Sequence, residues 1–147
     1  MRRAGSNYIK LEFPGKSVNE GFARSCAACF AAQLDPTLEE LGDLKTAVSE
    51  AVTNAIVHAY PHEVGKVLMK LRILEDNVLE VTVRDWGCGI PDVEKAMEPL
   101  YTTGGEERSG MGFSIMECFT DSLRVRSKPG KGTTVILRKR ISQRSEA

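Results

Sequence analysis

The sequence predicts an α/β two-layer sandwich, with a mixed, mostly antiparallel sheet and helices on one face. Three observations predict it. Apolar segments with alternating or β-branched character come in pairs joined by short turns, the spacing of hairpins. Two long helical stretches follow one another near the start instead of alternating singly with strands. The βαβ crossovers of a Rossmann or flavodoxin sheet are missing. The 147 residues suit a single domain, 1–147, with its core at about 8–140 and short tails outside it.

Residues 8–13, Tyr-Ile-Lys-Leu-Glu-Phe, alternate apolar and polar as a strand does, and Pro14-Gly15 ends it. Residues 18–34 are Ala-rich, and Val18, Phe22, Cys26, Cys29, Phe30 and Ala32 fall at helical spacing as the expected apolar face. Asp35-Pro36-Thr37 breaks this helix. Thr37, with Glu40 three residues on, forms a capping box for a second helix over about 38–58, which Pro61 stops. Residues 66–74 and 78–84 read as strands around the turn Glu75-Asp76-Asn77, with Val78, Val81 and Val83 suited to a sheet. A Gly-rich loop covers 85–91, and Pro91-Asp92 opens a short helix to about Met97. The polar, Gly-containing stretch 99–109 is expected to be a mobile loop, and 110–119 a helix. Residues 122–127 and 132–139 make a last hairpin around Lys128-Pro129-Gly130.

Hydrophobic residues at 41% and charged residues at 27% exclude wholesale disorder, collagen and a coiled-coil rod. Lys plus Arg and Asp plus Glu are 20 each, and this zero net charge argues against direct nucleic-acid binding. No apolar run nears the roughly 18 residues that span a bilayer, so no membrane association is expected. No apolar stretch follows Met1-Arg2-Arg3, so a secretory signal is not expected either. A cytoplasmic protein with four free thiols follows. Cys26 and Cys29 have ligand-like spacing, but a zinc site needs about four ligands, and small buried thiols are the expectation. Arg124, Arg126, Lys128 and Lys131 cluster on the last hairpin, and Arg138, Lys139, Arg140 and Arg144 near the end. Such runs are usually a solvated face; the other reading is a patch for an acidic partner.

Three elements carry chemistry. The second helix is apolar nearly all round at 51–57, yet Asn54 sits within it, with Glu50 four residues before and His58 four after. Four residues advance a helix by one turn plus about 40°, so the three share one slowly rotating stripe. Either they form a structural hydrogen-bond network, or they form a site in which the Asn oxygen meets a hard cation and the carboxylate acts on a water or hydroxyl. Next, Asp85-Trp86-Gly87-Cys88-Gly89-Ile90-Pro91 follows a strand directly. Its glycines allow close backbone approach to a ligand, and Asp85 can accept a hydrogen bond from an exocyclic amine; the plain alternative is a Gly-rich turn. Finally, Arg108-Ser109-Gly110-Met111-Gly112-Phe113 stands at an expected helix onset, where free N–H groups and the helix dipole cradle phosphate and Arg108 can reach the terminal one. The alternative there is an ordinary helix start. Walker and common protein-kinase motifs are absent.

Ser49-Glu50-Ala51-Val52-Thr53-Asn54-Ala55, the Asp85–Pro91 loop and Gly110-Met111-Gly112-Phe113 resemble the N, G1 and G2 boxes of the gyrase/Hsp90/histidine-kinase/MutL (GHKL) ATPase superfamily. Within it, Glu20-Gly21-Phe22-Ala23-Arg24, Pro99-Leu100-Tyr101-Thr102-Thr103 and Lys131-Gly132-Thr133-Thr134-Val135 resemble the anti-sigma factor kinases of spore-forming bacteria. The likeness runs from Tyr8 to Lys139. It implies a Bergerat-type ATP-binding fold and a homodimeric, Mg2+- and ATP-dependent protein serine kinase. Such a kinase also holds a sporulation RNA polymerase sigma factor inactive and phosphorylates an anti-anti-sigma factor, with ATP or ADP deciding the partner. By the same resemblance, Glu50 is the catalytic base, Asn54 binds Mg2+, and Arg108 contacts the γ-phosphate. Asp85 reads the adenine amine, with Gly87 and Gly89 in its loop and Thr134 nearby. Ser109, Gly110, Met111 and Gly112 flank the phosphates, Thr102 and Thr103 belong to the ATP lid, and Glu20 and Arg24 contact the protein partners. The lid around Gly104-Gly105-Glu106 is slightly shorter than in the family, and Trp86 puts a bulky ring where the family has a variable, often acidic, residue. Rival readings are a stress-response anti-sigma B-type kinase, an ATP-gated binding module without transferase activity, and the detached ATPase domain of a sensor histidine kinase.

Overall fold

A computed structural model describes residues 7–98 and 107–142, and for 107–111 the backbone alone. The chain runs β1 (Asn7–Pro14), α1 (Val18–Ala31), α2 (Leu38–Thr53), β2 (Lys66–Leu74), β3 (Val78–Asp85), α3 (Val93–Ala96), α4 (Glu107–Cys118), β4 (Ser122–Lys128) and β5 (Gly132–Arg140). The strands form one sheet in the order β1-β2-β3-β5-β4. All four pairings are antiparallel, so the mixed sheet expected from the sequence is wholly antiparallel among the described strands. The reason lies in the last hairpin: β4 enters at the far edge, and β5 turns back between it and β3.

Alternation along the strands divides the sheet into two faces. Met69, Leu71, Val81, Val83, Val135 and Leu137 are buried under the helices in one hydrophobic core. Their neighbours in the chain, including Lys70, Arg72, Thr82, Arg84 and Arg138, point the other way. The β2–β3 turn puts Asp76 and Asn77 at φ 63° and 62°, a left-handed region that short polar side chains tolerate.

The predicted capping box starts α2. Thr37 Oγ1 accepts from the Glu40 N–H at 3.0 Å, and Glu40 Oε1 accepts from the Thr37 N–H at 2.9 Å. The N–H of Ser142 donates to Glu40 Oε2 at 2.9 Å, tying the chain after β5 to the start of α2. Burial alone would raise the Glu40 pKa, but these donors hold it below the ordinary glutamate value.

The buried face of α1 differs from the expected one. It consists of Ala23, Ala27, Phe30 and Ala31, while Val18 is 79% and Phe22 62% exposed. Small alanines let α1 approach Ala47 and Ala51 of α2 closely, and this close approach rotates the bulkier stripe outward. The rotation also corrects the expectation of buried thiols at Cys26 and Cys29: Cys26 is half-buried and Cys29 exposed. Among the described residues, no helix is long and apolar enough to cross a membrane.

Candidate active site

A cleft of about 430 Å3 opens between the end of α2, the 85–92 loop, α3, α4 and β5. Asn54, Asp85 and Gly89, all expected site residues, line it. Ile90, Ala96 and Phe113 supply apolar wall, and Thr133 adds a hydroxyl.

The loop that lines the cleft around Asp85 is held by backbone and side-chain hydrogen bonds. The Cys88 N–H donates to Ala59 O at 2.9 Å, and Cys88 O accepts from the Gly130 N–H at 2.7 Å. The Ile90 N–H donates to Ser127 Oγ at 2.7 Å. Tyr60 OH accepts from the Trp86 N–H at 2.7 Å and donates to Lys66 O at 2.8 Å. The loop is thereby fastened both to the end of α2 and to the last hairpin. The close approach expected of the glycines is made to the protein itself. A Cβ on Gly87 would collide with the Ala59 carbonyl, and Gly89, at φ 78°, lies against the Lys128 carbonyl. Gly89 still lines the cleft, whereas Gly87 serves the packing beneath it.

Asp85 Oδ1 accepts from the N–H groups of Gly87 at 2.9 Å and Thr133 at 3.2 Å. Burial raises the Asp85 pKa, and the two N–H donors oppose that rise without cancelling it. Thr133 Oγ1 lies 2.8 Å from Ser127 Oγ. The expected threonine is therefore displaced by one residue. Thr133 shares strand parity with Val135 and Leu137 and faces the cleft; Thr134, paired with Arg84 and Arg126, faces away. Trp86 is also outside the cleft. Its ring stacks under Lys66 Nζ at 4.3 Å and the Arg84 guanidinium at 4.6 Å on the outer face of the sheet.

At the other end, α2 passes into a single π-helical turn, Asn54–His58, closed by the Ala59 N–H on Asn54 O at 3.2 Å. Such turns re-aim side chains and recur at functional sites. This one brings Asn54 and His58 to the cleft while Ala55 and Ile56 stay buried. Glu50 stands one turn earlier, and a Cβ on Gly112 would lie 3.5 Å from its Oε1, so α4 passes close beside it. Burial first, and then the charge of Glu20, raise the Glu50 pKa above the ordinary glutamate value. Glu20 Oε2 is buried without a hydrogen bond among the described residues and faces Arg24 Nη1 at 3.7 Å.

The helix carrying the second glycine motif begins at Glu107, so Gly110 lies within its first turns and not at its onset. The earlier start moves the free N–H groups toward Arg108 and Ser109. The side chains of Arg108, Ser109 and Met111 lie outside the described residues, as do Thr102 and Thr103 entirely. Sequence reasoning missed Phe113, Ile90, Ala96 and Thr133; of these, only Thr133 was signalled, by its parity with two core residues.

The Histidine kinase-like ATPase domain family matches residues 15–139. The Anti-sigma F factor of Caldanaerobacter subterraneus subsp. tengcongensis is 55% identical over 139 residues, covering 94% of this chain and 96% of that protein. That of Geobacillus kaustophilus is 54% identical, with 93% and 94% covered. The chain belongs to the anti-sigma F factor family. Family membership carries a nucleotide-binding, kinase-like fold. Among solved structures, the RsbU and RsbW domains of Rv1364c from Mycobacterium tuberculosis superpose with a TM-score of 0.67 at 19% identity, covering 94% of this chain and 33% of that one. The blue-light activated histidine kinase of Erythrobacter litoralis gives 0.60 at 24%, covering 84% and 42%. At those identities the likeness concerns the fold.

Proposed function

We propose that this chain is an anti-sigma factor and ATP-dependent protein serine kinase, which holds a sporulation sigma factor and phosphorylates an anti-anti-sigma factor. The reading places it in the cytoplasm as a homodimer. The observation that supports it best is one cleft with Asp85 at one end and Asn54 at the other, and Glu50 one helical turn behind Asn54.

The donor set fits a purine nucleotide: a carboxylate anchored on Oδ1, a threonine hydroxyl and apolar walls from Ile90 and Phe113. It also fits Mg2+ arriving with phosphates. Mg2+ commonly takes one or two protein ligands beside phosphate oxygens and water, and Asn54 offers one hard amide oxygen. When bound, the cation neutralises charge on the transferring phosphoryl group. In this reading Asp85 orients the base, and Arg108, with the N–H groups at the start of α4, receives the phosphates. Glu50 takes the proton of the incoming serine, a task suited to a carboxylate whose proton affinity has been raised. Glu20 and Arg24 belong to the partner surface. They lie on α1 beside exposed Val18 and Phe22, an apolar strip bordered by a charge pair, as where the apolar centre of an interface meets its polar rim.

Incubating the chain with radiolabelled ATP and a candidate anti-anti-sigma protein tests the reading. Acid-stable label on a partner serine supports it. Label that is acid-labile, or absent while ATP still changes sigma-factor binding, replaces it with one of the rival readings.

A further inference from the structure

We propose that the uncovered face of the sheet, opposite the helices, docks an acidic segment of a partner protein. The whole chain has no net charge, yet its charges are not evenly spread. Strand alternation sends Lys70, Arg72 and Arg84 to the uncovered face from β2 and β3. The outer hairpin adds Arg124, Arg126 and Lys128 from β4, and Arg138 and Arg140 from β5. The acids on the same strand positions are Glu12 and Glu80. Glu80 is already occupied: it is buried between Arg72 at 2.7 Å and Arg138 at 2.9 Å. Among the described residues, Arg124, Arg126, Lys128 and Arg140 have no ion pair with a carboxylate.

A groove of about 520 Å3 indents this region, where Leu74 and Val78 supply apolar surface beside Arg138 and Arg140. Apolar surface next to an unpaired guanidinium fits a peptide that alternates acidic and aliphatic side chains. A second copy of the chain using the same face would set cations against cations. A nucleic acid fits less well, because Glu75 and Asp121 also line the groove and would repel a phosphate backbone. The exposed indole of Trp86, which would otherwise stack on a base, already has Lys66 and Arg84 over its ring. The surface lies across the sheet from the nucleotide cleft, so its occupant does not compete with ATP.

The test uses the full chain and two fluorescein-labelled probes: a peptide alternating glutamate and leucine, and a short DNA duplex. The variant R124E/R126E/K128E is expected to bind the peptide on the order of ten-fold more weakly at moderate salt, the scale for several exposed charges reversed together. Its ADP affinity should match the parent's, which reports an intact fold. Lys45→Glu, on the helix layer, should leave peptide binding unchanged. Equal peptide affinity for parent and triple variant overturns the proposal. So does a parent that prefers the duplex, which would make the face a nucleic-acid surface. So does a change of oligomeric state in the triple variant by sedimentation, which would show that another copy of the chain covers it.

Discussion

Asp85, which lines the cleft, and Glu50, one helical turn before the cleft residue Asn54, are both carboxyls whose pKa is raised chiefly by burial, yet their surroundings are built differently. Around Asp85 the backbone is fastened at every step, and two N–H groups point at one carboxylate oxygen. Those donors favour the ionised form and fix its direction, as a group that reads a ligand edge requires. Glu50 instead sits between two helices with another carboxylate, Glu20, in its field, which favours the protonated form. Under the proposed function, Asp85 serves as a fixed acceptor and Glu50 exchanges a proton. Burial is common to both, so the neighbours decide the chemistry.

The largest effect that breaks this comparison comes from Glu50→Gln. The amide keeps shape but cannot take a proton. Phosphoryl transfer should fall by roughly 10²-fold or more while ADP affinity stays near normal, because a general base typically contributes that much to the chemical step alone. Single-turnover transfer and calorimetry measure the two separately. Transfer at the parent's rate would remove Glu50 from the chemistry.

Asp85→Asn should give the reverse pattern. The side-chain oxygen can still accept from Gly87 and Thr133, but an NH2 now meets the exocyclic amine. Losing a hydrogen bond to a charged group costs about 1.5–3 kcal/mol, so ADP binding should weaken by roughly 10- to 100-fold. Unchanged ADP affinity would place the base elsewhere in the cleft.

Gly87→Ala separates loop anchoring from ligand contact. Its methyl group meets the Ala59 carbonyl, and overpacking of this kind costs about 1–3 kcal/mol. Urea unfolding should register that loss. A variant as stable as the parent would mean that the loop shifts freely and is not the rigid end described.

The smallest effect sharpens the Glu50 end. Glu50 acts as a base only when ionised, and the charge of Glu20 helps keep it protonated. Glu20→Gln removes a like charge and lowers the Glu50 pKa, so the acid limb of the transfer-rate profile should move to lower pH. A limb that stays in place assigns it to another group. The linkage has a matching sign. Between the ordinary glutamate pKa and the raised one, the folded chain binds more protons than the unfolded chain at Glu50, so stability falls as pH rises through that window. Glu50→Gln should remove this contribution to the slope.

Local signals in the chain are legible. Thr37 and Glu40 marked the start of α2 because a capping box needs only three residues of separation. The β2–β3 and β4–β5 hairpins followed from apolar alternation around polar turns. The face of α1 does not follow from apolar spacing, which favours Phe22 over Ala23 and Ala27; closeness to α2 selects the alanines. The two glycines of the 85–91 loop suggest room for a ligand, but their immediate neighbours are the carbonyls of Ala59 and Lys128.

By itself, the sequence determined which residue types exist at which spacing: Glu50 and Asn54 one turn apart, Asp85 at a strand end, and glycines on either side of Cys88. These depend on the period of a helix or strand, which is a local property of the backbone. Only the tertiary structure decided what each meets. It chose Thr133 over Thr134 through strand parity, moved Trp86 outside the cleft, put Glu20 in the field of Glu50, and gathered the cations of four strands on one face. Those outcomes depend on which distant segments pack together. Packing is settled by the fit of whole faces against one another, which no short stretch of chain encodes alone.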